Sequence, residues 1–145
     1  MPAAIFGRGW GWVFGKRMLA VTHTGRVSGA EYTTILEVVG FDENTQESVV
    51  VSAYGTEADW YRNIGAAPAS RVQTGRLDYV PQQQFLTHAE GSEAATRFCR
   101  EHPLEARLVP RVLPAIGAAI PADKADMPPE EILASLPMVA FRPKT

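Results

Sequence analysis

The sequence predicts an α+β protein in which about six mostly antiparallel strands form a barrel-like sheet with flanking helices. Short β-branched, apolar runs alternate with turns rich in Gly, Asp and Asn, and two segments have helical spacing between helix-ending residues. The strands and helices do not alternate strictly, as parallel βαβ units would require. With 145 residues, of which 46% are apolar, we expect one domain spanning residues 1–145.

The expected strands, in chain order, are 17–24, 32–41, 48–54, a hairpin of 71–74 with 77–88, and 136–142. The third run is nearly all apolar, which indicates a strand buried on both faces. Within the hairpin, Pro81 favours a bulge or a sheet edge, because proline has no N–H for the ladder.

Two helices are expected, at 58–66 and 92–102. Ser92 is the expected N-cap of the second helix and Pro103 its terminator. The apolar segment 105–117 follows, and we expect its prolines to break or kink it, namely Pro110 and Pro114. A Pro- and Asp-rich loop should occupy 120–129.

Residues 1–15 combine aromatic side chains with four glycines, which oppose a stable isolated helix. We predict a mobile N-terminal segment whose aromatics close over a planar ligand. Permanent packing on the barrel and contact with a membrane surface remain open alternatives.

Charge is distributed unevenly along the chain. The first 30 residues carry four cations and no acid, whereas the remainder carries ten cations against sixteen acids. The basic N-terminal part is either an anion-docking surface or an ordinary solvated face. An acidic protein without a sustained basic stripe is not expected to bind nucleic acid.

The single cysteine excludes an internal disulfide and fits a reducing, cytoplasmic location. No apolar run is long enough to span a membrane as a helix. The three histidines lack metal-ligand spacing, so no metal is expected. His23 is more simply a satisfied strand histidine than a ligand contact, and Cys99 is expected to pack as an inert thiol. No catalytic residue is predicted either, and hydride chemistry on a bound flavin-like cofactor would require none.

Two segments are candidates for ligand binding. In the first, glycine-rich residues 25–29 can direct backbone N–H groups at an anion, with Arg26 contacting a phosphate and nearby hydroxyls adding donors. In the second, a strand end at 52–54 and the aromatic start of the helix at 58–66 can enclose a planar ring. A plain β-turn and ordinary core packing are the respective alternatives.

The order and spacing of these motifs resemble the deazaflavin-dependent nitroreductase family of split β-barrel oxidoreductases. The matching residues are Thr24-Gly25-Arg26, Ser28-Gly29, Thr33-Thr34-Ile35-Leu36, Trp60-Tyr61-Arg62-Asn63-Ile64 and Ala67-Pro68. The resemblance implies a split barrel that binds coenzyme F-420, an 8-hydroxy-5-deazaflavin. It also implies transfer of a hydride from the reduced coenzyme to a small-molecule acceptor, such as a quinone, enone, lactone or nitroaromatic.

The cofactor-binding residues expected from the motifs and the resemblance together are Thr24, Gly25, Arg26, Ser28, Gly29, Thr33, Thr34, Ile35, Leu36, Ser52, Ala53, Tyr54, Trp60, Tyr61 and Asn63. Val27 stands where the family has a lysine, and Glu31 adds a negative charge near the position of a family arginine. Because those cations contact the coenzyme's phosphate and polyglutamate tail in the family, two alternatives stay open. One is an FMN-binding split-barrel reductase, and the other is a non-catalytic protein that binds a planar hydrophobic ligand.

Overall fold

The computed structural model describes residues 18–115, 117–120 and 126–144. Seven strands lie in this part of the chain: β1 Met18–Thr24, β2 Glu31–Asp42, β3 Glu47–Val51, β4 Arg71–Thr74, β5 Leu77–Tyr79, β6 Pro81–Phe85 and β7 Met138–Pro143. The α-helices described are α1 Asp59–Ala66, α2 His88–Glu101, α3 Pro103–Ala115 and α4 Pro129–Ala134, and a 3₁₀ turn covers Gly55–Glu57.

The strands form a nearly closed antiparallel barrel in the order β5-β4-β1-β2-β3-β7-β6. The 12-residue β2 makes this curvature possible, since it pairs with β1 along its first half and with β3 along its second. A register shift between Val38 and Gly40 lies at the start of the half that pairs with β3, and such bulges bend a strand and increase its twist. The predicted α+β barrel is therefore confirmed.

Apolar side chains fill the barrel on one face of the sheet and attach the helices on the other. The barrel core comprises mainly Leu19, Val21, Leu36, Val38, Val50, Trp60, Ile64, Val72, Val139 and Phe141. The second core joins β2, β3 and β7 to the later helices through Val39, Val51, Phe98, Val109, Leu113, Ile132, Leu133 and Met138. Helix α1 thus belongs to the barrel, because its Trp60 and Ile64 are buried there.

The predicted hairpin over 71–88 is only partly correct. Strand β5 pairs with β4 for three residues, after which the chain leaves that edge and β6 pairs with β7. Pro81 begins β6, which lies at the opposite edge of the sheet, so the edge position expected for this proline is confirmed. The side chain of Gln83 reaches back from β6, accepting from Ala69 N and donating to the Ile64 carbonyl, both at 2.9 Å.

The start of helix α2 was wrongly predicted at Ser92. Thr87 is the N-cap, because its hydroxyl accepts from Glu90 N at 3.2 Å while Glu90 Oε1 accepts from Thr87 N at 2.8 Å. This reciprocal pair satisfies two N–H groups at the helix start, and it places Ser92 inside the helix.

The prolines after α2 also act differently from expectation. Pro103 separates α2 from α3 but is itself the first residue of α3, where a missing N–H costs no helical hydrogen bond. Helix α3 continues through Pro110 and Pro114 to Ala115, and burial of Val109 and Leu113 in the second core supports it. The short helix α4 was not predicted. It begins at Pro129, the last residue of the expected loop, and covers residues to which no element was assigned.

The predicted mobile segment, residues 1–15, lies outside the described residues. Within the described part of the chain, no helix has both the length and the apolar character needed to cross a membrane.

Candidate functional site

A cleft of about 440 Å³ opens between the turn at residues 25–29, the neighbouring ends of β1 and β2, and the start of α1. This volume lies within the range of small-molecule sites, roughly 300–1,000 Å³. The residues lining it are His23, Gly25, Arg26, Val27, Ser28, Tyr32, Thr33, Thr34, Asp59, Trp60 and Asn63. Two segments more than thirty residues apart in sequence therefore meet at one surface.

The shape of the turn depends on its two glycines for different reasons. Gly29 has a φ of +74°, a left-handed conformation that residues with a Cβ rarely adopt. At Gly25 the requirement is space, because a Cβ there would lie 2.6 Å from Ser28 Oγ and 2.8 Å from the Tyr32 ring. The hydroxyls of Ser28 and Tyr32 are 3.1 Å apart and lie over this glycine.

Most backbone N–H groups of the turn already have acceptors, so fewer of them can face an anion than the sequence allows. Gly25 N donates to Ala30 O at 2.7 Å and Gly29 N to Gly25 O at 2.9 Å. Arg26 N donates to the Asn63 side chain, and Ala30 N to Ser28 Oγ, both at 3.1 Å. Within the described structure, only the N–H groups of Val27 and Ser28 in this turn are left for a ligand.

Although the first 30 residues carry no acid, an acidic side chain from α1 lies beside Arg26. Its Nη2 donates to Asp59 Oδ1 at 3.2 Å, and its Nη1 donates to Asn63 Oδ1 at 2.7 Å. The guanidinium is thereby held across the cleft from the turn to α1. A guanidinium has five N–H donors, so Arg26 keeps some for an anion while its position is fixed by the protein.

His23 lies at the floor of the cleft and is almost completely buried. Its Nδ1 is 3.1 Å from Asn63 Nδ2, and its Nε2 is 2.8 Å from Thr34 Oγ1. Burial lowers the pKa of His23 below its usual value of 6.5, and the smaller, opposite influence of Asp59 does not offset it. The satisfied strand histidine is confirmed, and the same side chain also lines the site.

Trp60 supplies the apolar wall of the cleft and is itself 93% buried, since only 7% of it is exposed. Its neighbour Tyr61 turns the other way and packs edge-to-face on Phe85, with ring centroids 5.2 Å apart. Consecutive helical residues point in directions about 100° apart, so the two aromatics cannot face the same ligand surface.

Of the fifteen predicted site residues, seven line the cleft: Gly25, Arg26, Ser28, Thr33, Thr34, Trp60 and Asn63. The eight that do not are Thr24, Gly29, Ile35, Leu36, Ser52, Ala53, Tyr54 and Tyr61. Leu36 is part of the barrel core. Gly29 contributes through its backbone conformation rather than through contact with the cleft.

The segment 52–54 forms the turn after β3 instead of a cleft wall. The buried Ser52 hydroxyl donates to Gly55 O at 2.7 Å, and Ala53 O accepts from Ala119 N at 2.8 Å. Tyr54 is half exposed. Strand β3 therefore ends at Val51, three residues before the predicted boundary.

Sequence reasoning missed the contributions of Tyr32 and Asp59 to the cleft. Tyr32 lies near the start of a β-strand between Glu31 and Thr33, and this position does not distinguish a ligand-facing aromatic from a packed one. Asp59 is an acid in the first helical turn, a common location that stabilises a helix N-terminus and does not by itself indicate a ligand contact.

The described residues contain no cluster of three or more potential metal ligands. Burial, with a smaller contribution from Glu130, raises the pKa of the Cys99 thiol to about 11, so its nucleophilic thiolate is rare at neutral pH. The described cleft thus has hydrogen-bond donors, a cation and an aromatic wall, and these features make it the candidate site for a small molecule.

Comparison with known proteins gives the family to which this small antiparallel barrel belongs. Residues 7–101 match the model of the family described as F420H(2)-dependent quinone reductase. The chain therefore belongs to this family, which confirms the resemblance to deazaflavin-dependent enzymes. It is an oxidoreductase whose cofactor is coenzyme F-420.

Solved structures support the same fold. One is described as an F420-H2 dependent reductase, FDR-A, with a TM-score of 0.52 and 18% identity over 86% of this chain and 93% of that one. Another, described as a domain-swapped dimer, has a TM-score of 0.50 and 18% identity over 86% and 79% of the two chains. No protein with a curated function matches the sequence.

Proposed function

We propose that this protein binds coenzyme F-420 in the cleft between the turn at 25–29 and helix α1. There it directs a hydride from the reduced coenzyme to a small planar acceptor, namely a quinone, enone, lactone or nitroaromatic. The observation that carries the proposal is the meeting of Arg26, Thr34 and Trp60, from three separate elements, at one cleft of cofactor size.

The residues present fit the coenzyme's chemistry. Trp60 offers an apolar surface for a fused heterocycle, and the hydroxyls of Thr33 and Thr34 offer polar contacts at its edge. Arg26, with the N–H groups of Val27 and Ser28, offers donors to a phosphate.

When bound, the coenzyme supplies the hydride, and the protein supplies binding, orientation and exclusion of water. This division of labour requires no nucleophile from the chain. It agrees with a cleft whose titratable side chains among the described residues are His23, Arg26, Tyr32 and Asp59. Of these, His23 is internally hydrogen-bonded and Arg26 is held by Asp59 and Asn63.

The charges around the cleft favour the ring and phosphate over the polyglutamate tail. Val27 is 93% exposed beside the cleft, where a family lysine would be available to a carboxylate. Glu31 is also exposed at the start of β2, and it repels an anionic tail. We infer that short-tailed and long-tailed forms of the coenzyme bind this protein with similar affinity.

Fluorescence titration of the purified protein with F-420 tests the proposal. Arg26→Ala is expected to weaken binding by about 1.5–3 kcal/mol, the range for a charge-assisted hydrogen bond. Arg97→Ala is the matched control, because Arg97 is an exposed arginine on α2 that does not line the cleft. Thermal melting of each variant separates loss of binding from loss of folding.

Equal affinities of wild-type protein and Arg26→Ala, at low and at high salt, would show that the phosphate lies elsewhere. Turnover is measured with reduced F-420 and one acceptor of each class. A yellow protein that retains FMN through purification would favour the FMN-dependent alternative. Binding without turnover of any acceptor would favour the non-catalytic one.

A further inference from the structure

A chain of buried and partly buried hydrogen bonds connects the turn to strand β2 beneath the cleft. It runs from Arg26 to Asn63 at 2.7 Å, from Asn63 to His23 at 3.1 Å, and from His23 to Thr34 at 2.8 Å. Asn63 and His23 are only 4% and 3% exposed, so water does not substitute for these contacts. Their polarity therefore has to be satisfied within the chain itself.

The chemistry of Arg26 determines which atom donates and which accepts in each of these hydrogen bonds. An arginine side chain and a backbone N–H can only donate, so the atom of Asn63 that meets both must be its oxygen. The amide nitrogen of Asn63 then faces His23 Nδ1 and donates to it. Consequently Nδ1 must be an unprotonated acceptor, and the proton of the neutral imidazole resides on Nε2.

The same donor-to-acceptor order extends through His23 to Thr34 at the surface of the cleft. His23 Nε2–H donates to Thr34 Oγ1, which leaves the hydroxyl proton of Thr34 available. Thr34 lines the cleft, and no described residue accepts that proton. The hydroxyl is thus set as a donor toward whatever occupies the cleft.

We propose that His23 is a positioning residue that, through its Nε2–H bond, makes the Thr34 hydroxyl an obligate donor to a hydrogen-bond acceptor atom of the bound deazaflavin, such as a carbonyl oxygen or an unprotonated ring nitrogen. The identity of the ligand rests on the proposed function, whereas the direction of the hydrogen bonds does not. The lowered pKa of His23 agrees with a neutral ring. Three charged or titratable groups surround that ring. Arg26 lies on the far side of Asn63, Asp59 acts on the ring through its charge, and Tyr32 stacks on it with ring centroids 6.0 Å apart.

The direction is tested without any ligand. In protein labelled with ¹⁵N at histidine, long-range proton–nitrogen correlations should show the His23 ring protonated at Nε2 and not at Nδ1. Asn63→Asp has the same shape but presents an acceptor oxygen to the ring, so Nδ1 should become protonated in that variant. A wild-type ring protonated at Nδ1 would overturn the proposal.

The consequence for binding is tested by substitutions at both ends of the last bond. Thr34→Val removes the donor and is expected to weaken F-420 binding about three- to tenfold, as for one neutral hydrogen bond. Thr34→Ser keeps the hydroxyl and should retain affinity. His23→Leu leaves the hydroxyl in place but removes its orientation, so it should lose affinity but no more than Thr34→Val does. Combining the two should lose no more than Thr34→Val alone, because both act through the same hydroxyl.

His23→Gln is the decisive variant, and it still tests the proposal if His23→Leu does not fold. A glutamine can accept from Asn63 with its oxygen and donate to Thr34 with its nitrogen, so it restores the direction of the chain. Affinity close to wild type supports the proposal, whereas a loss as large as that of Thr34→Val means that His23 acts by packing and overturns it. If wild-type protein does not bind F-420, the proposed function and the ligand part of this inference fail together. The tautomer measurement still tests the hydrogen-bond chain.

Discussion

Replacing Asp59 with asparagine is expected to tighten binding of the anionic coenzyme. The Asp59 carboxylate is 84% exposed and pairs with Arg26 at 3.2 Å at the edge of the cleft. A phosphate that approaches Arg26 must therefore compete with this carboxylate and also experiences its repulsion. Asp59→Asn keeps the size of the side chain and removes both effects.

The magnitude follows from the exposure of the pair. An exposed ion pair contributes about 0.2–1 kcal/mol, and the repulsion of two charges about 4 Å apart in water is about 1 kcal/mol. The phosphate replaces only part of the Arg26–Asp59 pairing. We therefore expect the binding free energy of the coenzyme to improve by about 1 kcal/mol, or about fivefold in affinity. The gain should shrink in high salt, which screens exposed charges.

The assay is the fluorescence titration with F-420 at two salt concentrations. Glu57→Gln is the matched control, since Glu57 is equally exposed, pairs with Arg62 at 3.6 Å and does not line the cleft. Asp59 also lies in the first turn of α1, so the variant should lose about 0.5 kcal/mol of folding stability, which thermal melting detects. Weaker binding would show that Asp59 holds Arg26 in its binding position, and an equal gain in Glu57→Gln would show a general effect of net charge.

Two further predictions concern stability. Burial raises the pKa of Glu37 from 4.5 to about 8, so the folded protein retains a proton that the unfolded chain releases, and the free energy of unfolding should fall as pH rises through this interval. In urea denaturation, Glu37→Gln should abolish this fall and be more stable than wild type by about 2 kcal/mol near pH 8. The control Glu43→Gln, in an exposed turn, should follow wild type. If the free energy of unfolding of Glu37→Gln changes with pH as that of wild type does, the prediction is wrong. Gly25→Ala should lower the free energy of unfolding by about 1–3 kcal/mol, because the new methyl would lie 2.6 Å from Ser28 Oγ. Gly65→Ala, with open space around it in α1, should raise it by up to about 1 kcal/mol. Equal melting temperatures of the two variants would refute the steric argument.

The sequence alone was sufficient for the fold class and most strand positions, and seven of the residues that it singled out line the cleft. Strand β2 was predicted within one residue at each end because alternation and β-branching are local properties that the strand retains in the folded protein. The motifs around Arg26 and Trp60 were likewise recognised from residue type and spacing, and both line the cleft. The role of residues 1–15 as a cover over the ligand stays a prediction, since they lie outside the described residues.

Only the tertiary structure determined which side chains meet. Arg26 and Asp59 are 33 residues apart, and Asn63 and His23 are 40 apart, so no local pattern reveals that each pair is within hydrogen-bond distance. The need for glycine at position 25 comes from a ring seven residues away that packs over it. Such contacts depend on how β1, β2 and α1 are placed around a shared core, and that placement is decided by the burial of apolar surface from the whole chain.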